Sequence, residues 1–181
     1  IKREKRASYL SAFILLVPFF VLYVANKYFS GFLFKMMPDG YFELLNDFLL
    51  VFGVFFLLVI CCYLVCTITD GESSFRDLFV GCAYALTPML IFMPIKLLLT
   101  NVLSFNEAFF ITLIDVVSFG WSALLVILVI MYQNDYTLGK TIVTILLTLF
   151  TVLVVVALAV VLYMLISQLW DFISQVASIR Y

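Results

Sequence analysis

The sequence contains no histidine and carries little charge of either sign. Charged residues make up 12% of its 181 residues, and 10 Lys plus Arg against 11 Asp plus Glu leave a formal net charge of -1. Without histidine, the commonest metal ligand and the commonest general acid or base are missing. Without excess positive charge, no field holds a phosphate backbone. We therefore predict no enzymatic activity, no catalytic residue, no cofactor, no metal ion and no nucleic-acid partner.

Hydrophobic residues make up 66% of the chain, which excludes an ordinary soluble globular protein. They fall in long blocks, and about 20 residues of helix cross a hydrocarbon core of about 30 Å. We predict an all-α, polytopic transmembrane bundle of about five helices, in one domain over residues 1–181. The predicted spans cover about residues 9–25, 48–67, 75–99, 105–131 and 141–166.

Polar turn residues separate these blocks and supply helix caps. Ser74 with Asp77 resembles a capping box that starts the third helix near residue 75. Ser104 with Glu107 is a cleaner one, and predicts a fourth helix from about residue 105. Thr137 is placed to cap the fifth helix.

Two prolines, Pro88 and Pro94, lie inside the third block. Each removes an intrahelical hydrogen bond, so we predict a bent helix. A broken helix of this kind lines the substrate site in some transporters. The later blocks contain no proline, so a kink that serves packing is the favoured interpretation.

Positive charge predicts a cytoplasmic N-terminus and, after five spans, a C-terminus outside. Cytoplasmic segments would then carry Lys2, Arg3, Lys5, Arg6, Arg76 and Lys140, and outer segments Lys27, Lys35, Lys96 and Arg180. Because the sequence opens with Ile1 and not Met, we expect a further segment upstream.

Two segments outside the predicted spans have the character of the membrane interface. Residues 26–47 are too charged to span and rich in aromatic residues, which predicts an interfacial outer loop. Residues 167–181 place apolar and polar side chains on opposite faces of a helix, which predicts an amphipathic, interfacial tail.

Lys96 and Asp115 are the two charges predicted to lie inside the membrane, in the outer part of adjacent helices and within reach of each other. The favoured interpretation is an ion pair, or a snorkelling lysine beside a separately solvated carboxylate. The alternative is a charge path for transport.

The cysteines and one tryptophan have plain structural interpretations. Cys61, Cys62, Cys66 and Cys82 lie in apolar blocks and are predicted to be small core residues, although Cys66 is near enough to the interface for acylation. Trp121 lies in mid-helix, where its indole N–H needs a partner, so we predict that it faces protein.

Three segments together carry a family resemblance: residues 71–79 running into 83–88, then Trp121, then residues 135–141. They resemble the Yip family, the Ypt/Rab-interacting-protein membrane domain, in the bacterial branch encoded beside ABC sugar transporters. The residues that match its motifs are Gly71, Ser74, Phe75, Tyr84, Pro88, Gly139 and Lys140. The resemblance implies five spans and a cytosolic N-terminus.

It also implies a function without catalysis. Members like this one are expected in the bacterial cytoplasmic membrane, as accessory subunits of an ABC carbohydrate importer. The implied partners are integral membrane proteins, above all ABC permease subunits, with an extracellular solute-binding protein and the lipid bilayer. The aromatic residues predicted to form the interface are Phe29, Phe32, Phe34, Tyr41, Trp121, Trp170 and Phe172.

Two other functions stay open from the sequence. One is a small transporter or efflux component that uses Lys96, Asp115 and the kinked third helix. The other is a trafficking or membrane-shaping module, as the resemblance to eukaryotic proteins implies.

Overall fold

A computed structural model describes residues 9–30, 44–103 and 107–178 of the chain. The described residues form six α-helices and no strand, and the helix bounds are α1 Tyr9–Phe29, α2 Leu44–Ile68, α3 Phe75–Ala85, α4 Thr87–Val102, α5 Ala108–Gln133 and α6 Leu138–Ser178. Five helical segments are long and apolar enough to cross a membrane, with α3 and α4 together making one of them. The prediction of an all-helical bundle of five membrane helices is confirmed.

The helix ends correct several predicted bounds. α1 extends to Phe29 and α2 begins at Leu44, so both ends of the predicted 26–47 loop are helical. Residues 31–43, the middle of that loop, lie outside the described residues. α5 begins at Ala108 with Glu107 as its N-cap, three residues later than predicted, and Ser104 also lies outside the described residues.

Two of the predicted caps are present. The Ser74 hydroxyl accepts a hydrogen bond from the Asp77 N–H at 3.3 Å, at the start of α3. The Thr137 hydroxyl accepts one from the Lys140 N–H at 3.4 Å, at the start of α6. Each cap satisfies a backbone donor that a helix leaves free in its first turn.

The predicted bend in the third span is a break at Leu86, between α3 and α4. Pro88 has no N–H to donate to the Tyr84 carbonyl, four residues earlier. The Thr87 hydroxyl donates to that carbonyl instead, at 2.6 Å. A side chain therefore replaces the backbone bond that proline removes.

α3 is the central element of one half of the bundle. It packs against α1, α2 and α5. Phe79 of α3 is buried, and the rings within 6.1 Å of its own are Tyr9, Phe13, Phe55, Phe56 and Phe75. Because lipid chains are as apolar as these side chains, this cluster stabilises the bundle by close packing and not by escape from water.

The cysteine thiols belong to the packed interior. Cys61, Cys62 and Cys66 are buried, and Cys82 is partly buried. The prediction that they are core residues is confirmed. Cys66, the cysteine for which acylation was the alternative, is 1% exposed and packs in this interior.

α6 is the least buried helix. It packs along α2 and α5 through Thr141, Thr144 and Thr148, whose hydroxyls each donate to the carbonyl four residues earlier. From Val156 to Trp170 every side chain is exposed. The predicted tail is not a separate element, because α6 continues without a break through 41 residues to Ser178.

Candidate functional site

The helices run between two ends of the bundle that differ in chemistry. One end, here named the turn end, holds the turns between α2 and α3 and between α5 and α6. The other, here named the ion-pair end, holds the last turn of α1, the first turns of α2 and the junction of α4 with α5. With a cytoplasmic N-terminus the turn end is cytoplasmic, and this orientation stays a prediction.

Both turns at the turn end use the same local geometry. Asp70 and Asp135 have left-handed backbones, with φ values of 57° and 52°. In each case the next N–H bonds back to the carbonyl five residues earlier: Gly71 to Cys66 at 2.8 Å and Tyr136 to Met131 at 3.0 Å. This arrangement closes a helix C-terminus, and aspartate is one of the few residues other than glycine that enter the left-handed region readily.

Tyr136 joins the two turns. Its hydroxyl lies 2.9 Å from that of Thr69 and within reach of the carbonyls of Thr69 and Cys66, at 3.0 and 3.2 Å. Burial raises the pKa of the Tyr136 phenol above its ordinary value, so the hydroxyl keeps its proton and remains a donor. The Lys140 ammonium lies 4.3 Å from the centre of the same ring.

Asn134 makes a second connection between the turns. Its Oδ1 accepts from the hydroxyl of Ser73 at 2.7 Å, and its Nδ2 donates to the Ile130 carbonyl at 2.9 Å. Gly71 lies beneath both connections, because a Cβ there would stand 2.4 Å from the Asn134 Oδ1 and 2.7 Å from the Tyr136 hydroxyl. The motif glycine therefore permits the close approach of the two turns.

The remaining motif residues play different parts. Pro88 sets the break between α3 and α4, and Phe75 packs against Phe79. Gly139 has open space around it, and Tyr84 is half exposed. The structure thus brings the two motif turns together but leaves Tyr84 on the outside of the described bundle.

An ion pair with a buried carboxylate ties α1 to α2 at the ion-pair end. The Lys27 ammonium contacts the Asp47 carboxylate, which is 2% exposed, and the Tyr28 hydroxyl donates to the same carboxylate at 2.7 Å. Both charges lie in membrane-spanning helices. The prediction that Lys96 and Asp115 are the two intramembrane charges is therefore incomplete.

Lys96 and Asp115 form the second ion pair, between α4 and α5. The Lys96 ammonium donates to both carboxylate oxygens, at 2.8 and 2.7 Å. The predicted contact is confirmed. The Asp115 side chain is 51% exposed, so this pair lies at the surface of a cavity and not in packed interior.

That cavity, here named the α4 groove, has a volume of about 920 Å³. α4 forms its floor, since α4 packs against both α1 and α5. Lys27, Lys96 and Asp115 contribute its charges. Asn26 bridges floor and wall by donating to the Met93 carbonyl at 3.1 Å. A volume of this size is typical of a small-molecule site.

The predicted interface aromatics that the structure describes are spread over three helices. Phe29, Trp121, Trp170 and Phe172 are exposed on α1, α5 and α6. Phe32, Phe34 and Tyr41 lie outside the described residues. Trp121, at 55% exposure, projects from the described bundle and does not pack inside it.

Sequence reasoning missed Asn134, Tyr136 and the pair of Lys27 with Asp47. Asn134 and Tyr136 read as ordinary turn residues, and their partners lie 61 and 67 positions away. A signal for the ion pair was present, because a cation near the end of one apolar block and an anion at the start of the next lie on the same side of the membrane.

Comparison with known families gives a match over most of the chain. The family model described as the Yip1 domain matches residues 1–161. No curated protein and no solved structure matches the chain.

Proposed function

Because the chain belongs to the Yip1 domain family, we propose that it is a non-catalytic accessory subunit of a membrane complex, and that this complex is a bacterial ABC transporter for carbohydrate import. In this proposal the protein lies in the cytoplasmic membrane with its N-terminus inside, and packs laterally on the permease helices. An extracellular solute-binding protein is the second expected partner. The transporter is proposed from the resemblance in the motif segments, and the docking surface from the geometry of α6.

The observation that carries the docking proposal is the exposure of α6. The segment Val156–Trp170, together with Phe172, is here named the free half of α6, and its described side chains are exposed on all sides of the helix. A helix that is apolar all round is stable where lipid or another protein surrounds it. The described part of the bundle leaves this half of the helix uncovered.

The length of α6 favours contact with another protein, and not with lipid, for part of its exposed surface. At about 1.5 Å per residue α6 is about 60 Å long, against a hydrocarbon core of about 30 Å. The usual tilt of a membrane helix, about 0–40°, does not absorb a difference of that size. Leu169, Trp170 and Phe172 therefore lie at or beyond the interface, still exposed and still apolar.

Large aromatic side chains supply the anchors of such a surface. Trp170 and Phe172 lie on the free half of α6. Tryptophan is enriched among the residues that dominate binding energy, and also in the interfacial belts of membrane proteins. The exposed tryptophan of α5, Trp121, gives a second anchor deeper in the membrane.

The test is site-specific photocrosslinking in membranes of the native host. A crosslinker at Leu158 or Leu162 in the free half of α6 is expected to capture an ABC permease subunit. A crosslinker at Leu10 of α1, which is also exposed, is the matched control and is expected to capture none. Mild-detergent purification of the wild-type protein should recover the same subunit in stoichiometric amount. Recovery of the protein alone, without crosslinks from α6, overturns the proposal.

A small transporter is the second candidate, because the charges of the α4 groove line a cavity. A transport path through Lys96 and Asp115 requires the carboxylate. A flux into proteoliposomes that Asp115→Asn abolishes, while Asp70→Asn at the turn end leaves it intact, would support this function. A flux unaffected by Asp115→Asn excludes the charge path.

A further inference from the structure

The charged residues of the α4 groove lie nearer the ion-pair end than most of its apolar residues do. Lys96 lies six residues before the end of α4, and Asp115 seven residues after the start of α5. At about 1.5 Å per residue both lie about 10 Å below the ends of their helices. Lys27 is two residues from the end of α1. The charges therefore lie in the third of the membrane nearest the ion-pair end.

Deeper in the groove the lining is mainly apolar, apart from Ser118, whose hydroxyl donates to the Asp115 carbonyl at 3.1 Å. Met89, Phe92 and Met93 line it from the floor, and Phe119 from the wall formed by α5. A phospholipid has the same order of chemistry, with its head group at the surface and its acyl chains toward the membrane centre. The groove matches the leaflet in depth as well as in polarity.

The groove is also open on the side that lipid occupies. α1 and α5 form its walls, and among the described residues each packs far more extensively on α4 than on the other. Val116 and Phe119 line the groove and are largely exposed on the outer surface of α5. A lipid in the leaflet can enter between the walls without crossing the bundle.

The charged groups have capacity for one more partner. Two lysines and one aspartate line the groove, and the Asp47 that neutralises Lys27 does not. An ammonium has three donors, and Lys96 gives two of them to Asp115. One N–H of Lys96 is therefore available to an anion in the groove.

We propose that the α4 groove binds one glycerophospholipid of the leaflet at the ion-pair end, with its phosphate beside Lys27 and Lys96 and its acyl chains along Met89, Phe92, Met93 and Phe119. The phosphate accepts hydrogen bonds from the ammonium groups. The exposed Asp115 carboxylate accepts from a hydroxyl or amine of the head group. This site does not depend on the ABC transporter or on any other partner of the chain.

The test is a lipid titration of the full chain, delipidated in mild detergent and followed by native mass spectrometry. Phosphatidylglycerol is expected to give a saturable adduct of one molecule per chain. Diacylglycerol, which lacks the phosphate, is expected to give at least about tenfold weaker binding, the loss that follows when a charge-assisted hydrogen bond of about 1.5 kcal/mol is removed. Inorganic phosphate is expected neither to bind nor to compete at equal concentration, because it lacks the chains.

Variants locate the site. Ile114→Trp fills the groove and keeps every charge, and is expected to abolish the adduct, while Leu113→Trp, one residue outside the lining, is its matched control. Lys96→Met is expected to weaken phosphatidylglycerol at least about tenfold and leave diacylglycerol unchanged. Lys140→Met at the turn end should change neither.

Three outcomes overturn the proposal. If diacylglycerol binds as tightly as phosphatidylglycerol, the phosphate does not contribute to binding. An adduct that survives Ile114→Trp lies elsewhere on the protein. Competition by inorganic phosphate at equal concentration shows a site for a free anion and not for a lipid. Because the assay uses the purified chain alone, its failure leaves the proposed accessory function untouched.

Discussion

The hydroxyl of Tyr136 lies 2.9 Å from the hydroxyl of Thr69, across 67 positions of sequence. It joins the turn between α5 and α6 to the turn between α2 and α3, at the end of the bundle where both motif segments lie. In a membrane protein the helices gain little from association through the hydrophobic effect, so interhelical hydrogen bonds and close packing carry more of the specificity. The stability of the turn end therefore depends on a few named contacts.

Tyr136→Phe removes the hydroxyl at the centre of these contacts. We expect a loss of about 1–2 kcal/mol in the free energy of unfolding, because the Thr69 hydroxyl and the Cys66 carbonyl lose a partner in a buried place. Thermal unfolding in mild detergent measures the change. Tyr163→Phe, on the exposed face of α6, is the matched control and should leave the midpoint unchanged. Equal midpoints for the two variants would contradict the connection.

Gly71→Ala tests the close approach of the turns. The added Cβ would meet the Asn134 Oδ1 at 2.4 Å and the Cys66 carbonyl oxygen at 2.8 Å. We expect a loss of about 1–3 kcal/mol, the usual cost of overpacking. Gly139→Ala, at the other motif glycine, meets no atom within 4 Å and lies in a helix, so it should be neutral or slightly stabilising. The unfolding midpoints of the two variants, measured side by side, test this expected difference in stability.

The spans and the Ser74 cap were predictable because each depends on a short stretch of sequence. A block of apolar residues crosses lipid whatever its neighbours are, and a cap needs two residues three positions apart. The extension of α1 to Phe29 and of α2 back to Leu44 was not predictable in this way. Lys27 and Asp47 are costly in a membrane helix singly, and their pairing removes much of that cost.

The candidate sites were predictable only in part, because some of their contacts join residues that are far apart in the sequence. The contact of Lys96 with Asp115 followed from counting back from a short connection between adjacent antiparallel helices. The α4 groove could not be predicted in this way. Its walls come from α1 and α5, and its width depends on how α4 separates them. Likewise, no local pattern places Asn134 against Ser73.

The pair of Lys27 with the buried Asp47 gives a third prediction. Lys27→Met leaves a carboxylate that is 2% exposed without its cation, and we expect a loss of about 3–5 kcal/mol in stability. The double variant Lys27→Met with Asp47→Leu should recover much of this loss, because apolar replacements of a buried pair are often tolerated. Thermal unfolding of Lys27→Met, of Asp47→Leu and of the double variant completes a double-mutant cycle.

The second ion pair is the control for this cycle. Lys96→Met leaves Asp115 without its cation too, but that side chain is 51% exposed at the α4 groove and can be solvated there. Its loss of stability is therefore expected to be smaller than that of Lys27→Met. If the two single variants unfold at the same temperature, burial is not what distinguishes the pairs.

Trp170 and Phe172 separate the role of α6 in docking from its role in folding. Both are exposed and lie beyond the part of α6 that packs on α2 and α5, so changing both to alanine should alter the free energy of unfolding by less than about 0.5 kcal/mol. If they anchor a permease subunit, the loss of a tryptophan hot spot of at least about 2 kcal/mol weakens co-purification about thirtyfold. Gly71→Ala should lower the unfolding midpoint but leave co-purification of the permease subunit unchanged, because the free half of α6 stays intact. A double alanine variant that retains its partner in full would show instead that these aromatics only hold the helix at the membrane interface, and the docking surface would then have to lie elsewhere on the bundle.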